Sequence, residues 1–147
     1  MFNSMRIREF IPEDVKRILE IEMMSFEQKY GINMFLKLHE MGIGFLVAEE
    51  KGYVIGYILF WIKHEKEGHI ISIAIDKNYR RLGVGTKLLS HAIMVLRTCN
   101  VEKITLEVNE NNEGAIDFYK NFNFKVDRIV PGYYNSDEGA IIMFLRF

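Results

Sequence analysis

An apolar run, a basic turn, two glycines and a helical pattern follow one another in the segment Ile73-Ala74-Ile75-Asp76-Lys77-Asn78-Tyr79-Arg80-Arg81-Leu82-Gly83-Val84-Gly85. This order describes a strand that delivers the chain to the start of a helix. A helix start carries unpaired N–H groups and the positive end of the backbone dipole. With Arg80 and Arg81 beside it, such a turn suits a phosphate-bearing ligand. Taken alone, Gly83-x-Gly85 is also an ordinary strand-to-helix turn that needs permissive backbone angles. Two other nucleotide loops are excluded. A Rossmann fingerprint needs a third glycine where Leu88 stands, and a Walker loop needs Gly-Lys-Ser/Thr where Gly85 is followed by Thr86-Lys87.

Two titratable groups lie close to this segment in the pattern. Glu107 falls in the alternating stretch Lys103–Val108 and shares a face with Lys103 and Thr105. Alternation leaves it open between a carboxylate on a solvated face and a general base. His69 opens the apolar run that ends at Asp76, and histidine titrates near neutrality. A strand-end imidazole bonded to backbone is the alternative. His39, His64 and His91 have no comparable company. The one cysteine, Cys99, excludes an intramolecular disulfide and a cysteine-built zinc site. It falls late in a helical pattern, which reads as a small packed side chain rather than a nucleophile.

The elements that must position these groups follow from periodicity. Met5–Phe10 alternates as a strand. Pro12-Glu13-Asp14 opens a helix, with Val15, Ile18, Leu19, Met23 and Phe26 at helical spacing. Gly31 breaks it, and Met34–Met41 reads as a second helix. Phe45–Glu49 and Tyr53–Trp61 read as a hairpin across Glu50-Lys51-Gly52. Glu67-Gly68 separates these from a third strand, His69–Asp76. Gly85–Leu96 is an amphipathic helix, Lys103–Val108 a strand and Glu113–Phe122 a short helix. Phe124–Val130 and Ala140–Phe147 close the chain as strands. Hairpins and helical crossovers occur together, so the fold class is a mixed α/β sheet.

Composition bounds the rest. The 147 residues fit one domain, residues 1–147, and 49% hydrophobic side chains supply a core. Charge is balanced, 19 basic against 20 acidic, which argues against general binding to nucleic acid or anionic membrane. No apolar run approaches a membrane span. Met1–Phe10 lacks a signal-peptide core, so a reducing cytoplasm is expected.

Arg80-x-x-Gly83-x-Gly85 directly after Ile73-Ala74-Ile75 resembles the acetyl-coenzyme A motif of the Gcn5-related N-acetyltransferase (GNAT) superfamily. The resemblance continues in order through His69–Ile75, Leu106-Glu107-Val108, Asn112-x-x-Ala115, Tyr119 and Gly132-Tyr133-Tyr134. These look like the branch that acetylates protein amino termini, which includes the bacterial ribosomal-protein alanine acetyltransferase and the archaeal amino-terminal acetyltransferases. The resemblance implies a mostly antiparallel sheet of about seven strands flanked by about four helices, with a splay between its two central strands. It implies that acetyl-coenzyme A is the donor, its pyrophosphate on the amides around Leu82, Gly83, Val84, Gly85 and Thr86. Arg80 or Arg81 adds charge. The pantetheine arm pairs with Ile73, Ala74 and Ile75 as an added strand and contacts Asn112, which can also cap the following helix. No metal is expected.

Transfer of acetyl from a thioester to an amine needs a neutral amine, a stabilised oxyanion and a proton for the thiolate. An α-amino group with a pKa of about 7.7 to 8.0 is roughly a tenth to a sixth neutral at pH 7, whereas a lysine near 10.4 is neutral in about one molecule in 2,500. A protein terminus therefore asks only for a modest base. The resemblance implies Glu107 in that role, with His69 as a further candidate, and Tyr119 as the proton donor to sulfur. By spacing alone Tyr119 is equally a core aromatic. The oxyanion donor is a backbone N–H near Ile73–Ile75.

On the acceptor side the resemblance implies Glu27 and Tyr30 on one wall of a peptide groove, and Tyr133 and Tyr134 on the other. Without it these are surface tyrosines in turns. Substrates are protein or peptide N-termini, and a ribosome-associated partner subunit is the further partner the branch suggests. Three positions depart from the pattern: Asn123 replaces a glycine, Asn109 an arginine and Gly139 an aspartate. Asparagine tolerates left-handed angles, so the turn at Asn123 can survive. Two other activities share these features: acetyl transfer to a lysine or small amine, and an acyl-coenzyme A-binding module without turnover. The module has no need of Glu107 or Tyr119.

Overall fold

The computed structural model describes residues 4–25 and 30–147. Seven strands form one sheet in the order β1-β2-β3-β4-β5-β7-β6. They are β1 (Met5–Glu9), β2 (Gly44–Glu50), β3 (Tyr53–His64), β4 (Glu67–Ile75), β5 (Lys103–Asn109), β6 (Lys125–Asn135) and β7 (Glu138–Arg146). Among the described residues the α-helices are α1 (Val15–Met23), α2 (Ile32–Glu40), α3 (Val84–Thr98) and α4 (Glu113–Asn121). All strand pairs are antiparallel except β4 with β5.

The sheet has a core on each face. One holds Ile55, Ile58, Leu88, Leu89, Leu106 and Ile116, under α3 and α4. The other holds Ile18, Ile21, Phe35, Phe45, Val47 and Tyr57, under α1 and α2. Central strand β3 is therefore covered on both sides, and Val54–Phe60 is buried without interruption. The helices are short and amphipathic, so burial of one stripe against the sheet is what holds them. In α3 that stripe is Leu88, Leu89, Ala92 and Leu96.

Several boundaries differ from the periodicity. Pro12–Asp14 is a 3-10 turn, and the buried stripe of α1 is Ile18, Ile21 and Glu22, while Met23 is 71% exposed. Phe26 lies outside the described residues. Glu67 and Gly68 do not separate strands: they begin β4, and the turn falls at Glu65-Lys66. Gly68 is needed inside the strand because α3 passes over it. A Cβ there would lie 3.0 Å from the Leu96 side chain and 3.3 Å from Val101. Cys99 is exposed at the end of α3 rather than packed. Asn123 does adopt left-handed angles, with φ of 71°.

Candidate active site

Strands β4 and β5 pair at Glu67↔Lys103, Gly68↔Ile104 and His69↔Thr105, and there the ladder stops. Both strands continue, β4 to Ile75 and β5 to Asn109. A bulge supplies the physical reason. On the β3 side, Leu59 faces Ser72 and Phe60 faces Ile70, so Ile71 is an extra residue that bends β4. The splay expected between the central strands is present. It opens a cleft of about 900 Å³ that runs from the start of α3 to Glu107. Along it Ile73, Ala74 and Ile75 pair with β3 on one edge and face the opening with the other.

At one end of the cleft stands the glycine turn. Asp76 is buried, accepts from the Asn78 N–H at 2.9 Å and pairs with Arg17. Burial opposes its charge, but the Asn78 N–H and the Arg17 guanidinium together hold the carboxyl below its ordinary range. Gly83 caps α3 at φ +85°, with no side chain to bond the first amides. The first intrahelical bond is Lys87 N–H to Gly83 C=O at 3.1 Å. Val84, Gly85 and Thr86 therefore present their N–H groups at the cleft. A Cβ at Gly83 would meet nothing within 4 Å, so the residue is required by its angle and not by crowding.

Both arginines line the cleft. Arg80 donates from Nε to Ile75 C=O at 3.2 Å and from Nη2 to Met24 C=O at 2.9 Å. It ties the turn to the end of α1. Arg81, exposed and at φ 64°, lines the cleft mouth beside the amides. Leu82 is 46% exposed and is not on the described cleft wall.

At the other end the reacting groups converge. Glu107 lines the cleft, and His69 stands behind it with Nε2 at 2.8 Å from Glu107 Oε2. Trp61, directly across β3–β4 from His69, places its indole Nε1–H 3.4 Å from His69 Nδ1. Burial pulls the His69 imidazole down from 6.5 to about 4, Lys63 adds to this and Glu67 opposes it. Tyr119 is 6% exposed, packs on Phe118 and Phe124, and still lines the cleft. Asn112 both lines the cleft and caps α4, its side chain accepting from Ala115 N–H at 3.2 Å.

The acceptor side is less complete. Tyr30 lines the cleft, packs edge-on against Phe35 and donates its backbone N–H to Glu22 at 2.6 Å. Glu27 lies outside the described residues. Tyr133 and Tyr134 are not in a loop between strands. They belong to the far end of β6, where its ladder with β7 jumps from Val130↔Ala140 to Asn135↔Glu138. Their rings meet edge-to-face at 4.9 Å, and they are not among the residues that line the described cleft. Gly139 anchors this excursion. It exchanges hydrogen bonds with Glu110, Gly139 N–H to Oε2 at 2.7 Å and Glu110 N–H to Gly139 C=O at 2.9 Å. Sequence reasoning missed Trp61 and Glu110. A regular hairpin turning at Glu65-Lys66 would set Trp61 opposite Ile70; the irregularity between Ile62 and His64 shifts the register by one and brings Trp61 opposite His69, which no local pattern signals.

Residues 12–124 match the model of the acetyltransferase (GNAT) family. The chain belongs to this family. Among relatives of this GNAT chain, an N-alpha-acetyltransferase of Sulfolobus acidocaldarius is 35% identical over 143 residues, 88% of this chain and 85% of that one. Ard1 from Thermoplasma volcanium superposes with a TM-score of 0.92 at 31% identity, over 97% of each chain. The ribosomal-protein-S18-alanine N-acetyltransferase from Escherichia coli superposes with a TM-score of 0.87 at 26% identity, over 97% of this chain and 93% of that one.

Proposed function

We propose that this GNAT chain is an acetyl-coenzyme A-dependent N-acetyltransferase of protein α-amino termini, working by direct transfer. The observation that carries the reading is the opened β4–β5 ladder, whose cleft joins a bare helix start to Glu107 and Tyr119. The relatives' printed names give the acceptor class, N-alpha and ribosomal-protein alanine.

The residues present fit coenzyme A. Uncapped amides of Val84, Gly85 and Thr86, with Arg81, suit a pyrophosphate. The edge at Ile73–Ile75 suits an arm that carries amides. When bound, the thioester supplies an activated acetyl carbon. The rest is chemistry of this chain. Glu107 takes the proton from the attacking amine as its nitrogen bonds the acetyl carbon. Tyr119 gives a proton to the departing sulfur, and a β4 N–H steadies the oxygen. Tyr30 and, from the far end of β6, Tyr133 and Tyr134 border the peptide's approach. A ribosome-associated partner subunit and a reducing cytoplasm belong to the same proposal, the latter suited to the exposed free thiol of Cys99.

The test is thiol release from acetyl-coenzyme A with short peptides that differ at residue one. Release with free termini and none with blocked termini supports the reading. Release with internal lysines alone overturns it, and binding without turnover makes the chain a binding module.

A further inference from the structure

We propose that His69 and Trp61 are positioning residues for Glu107: the Trp61 N–H fixes the imidazole with its proton on Nε2, and that N–H holds the carboxylate at the cleft. The proposal rests on the reading of Glu107 as the base and assigns His69 a different role from a second base.

The argument is one of donors and acceptors. An indole N–H only donates. Bonded to Trp61 Nε1 at 3.4 Å, His69 Nδ1 must accept, so the neutral ring carries its proton on Nε2. Nε2–H then donates to Glu107 Oε2 at 2.8 Å. The ring has no lone pair left on the side that faces the carboxylate, and a proton leaving the amine goes to Glu107. Geometry keeps the array in place. Trp61 and His69 are a cross-strand pair on β3–β4, and His69↔Thr105 is the last rung of the parallel ladder. The array thus bridges three strands at the fork of the splay. Of the neighbouring charges, Glu67 favours the charged ring but is outweighed. Glu67 is engaged by the Thr105 hydroxyl at 3.2 Å, with Lys103 and His64 at 3.9 and 3.8 Å. The remaining charge near the ring, Lys63 on β3, favours its neutral form. An acceptor nitrogen pinned from behind leaves the carboxylate one preferred direction, which matters because small misplacements of a reacting group are costly.

The test reads the ring directly. In protein labelled with 15N-histidine, long-range proton–nitrogen spectra at pH 7 should show one neutral Nε2–H ring that is missing from the spectrum of His69→Gln. Trp61→Phe should mix in the Nδ1–H or charged form. In the peptide assay His69→Gln, whose amide can still donate to Glu107, should lose about threefold in kcat, the scale of one weakened hydrogen bond. His69→Ala should lose about tenfold to a hundredfold in kcat, with peptide KM little changed. An imidazolium or an Nδ1–H form for the ring whose signals His69→Gln removes overturns the proposal, and so does His69→Gln as impaired as His69→Ala; His91, whose Nδ1 faces the Lys87 carbonyl at 2.9 Å, is a separate Nδ1–H ring. The spectra need no turnover, so an enzyme inactive on every peptide would refute the proposed function while the ring's state was still read.

Discussion

Mild acid should destabilise this protein through His69 before its carboxylates titrate. The folded ring has its pKa pulled from 6.5 to about 4, with burial the largest cause. In the unfolded chain it regains the ordinary value. Between about pH 6.5 and 4 the unfolded state therefore binds more protons, so stability rises with pH through that window. The contribution is complete above about 6.5 and is lost as pH falls toward 4. The gap is worth about 3 kcal/mol, a large fraction of a typical domain's stability. Asp14, Glu49 and Asp76 have pKa values held below the carboxylate range, so their contributions begin to be lost only as pH falls below about 5 and overlap just the acid end of the window. Urea unfolding followed by circular dichroism at pH 7.5, 6.5, 5.5 and 4.5 measures the slope. His69→Gln keeps a donor toward Glu107 and does not titrate, so its stability should stay nearly level to about pH 4.5. A protein that holds or gains stability from pH 6.5 to 5 refutes the reasoning, because the ring would then charge against Glu107, 2.8 Å away.

Three further outcomes are expected. Glu107→Gln should lower kcat by about 10² to 10⁴-fold and leave coenzyme A affinity by calorimetry unchanged; equal loss of both would mark a structural role. Tyr119→Phe keeps the ring against Phe118 and Phe124, so stability by urea should change by about 1 kcal/mol or less, while kcat falls about 10²-fold. Gly139→Ala would put a Cβ 2.8 Å from Glu110 Oε2 and 2.9 Å from Val130 C=O. It should destabilise by about 1 to 3 kcal/mol and raise peptide KM with coenzyme A affinity intact, measured by urea unfolding, peptide kinetics and calorimetry.

Local chemistry was legible before any coordinates. A strand, a basic turn and Gly83-x-Gly85 announce a bare helix start, because only glycine reaches φ +85° without strain. Alternation put Glu107 and His69 on strands, and Asn123 turned as its side chain allows. Gly68 was misread as a break because its true cause, the approach of Leu96 from α3, is a contact distant in sequence. Arg80 or Arg81 was expected to add charge at the phosphate; both line the cleft, and the carbonyls that Arg80 also holds, on Ile75 and Met24, are joined only when α1 reaches the turn. The partner of His69 was equally hidden. Residue types and their spacing determined which backbone could bind an anion and which side chains could move protons. Where the β4–β5 ladder stops, which nitrogen of His69 accepts and which arginine is engaged were decided by the tertiary structure alone. These depend on register, bulge and long-range packing, which no local pattern encodes.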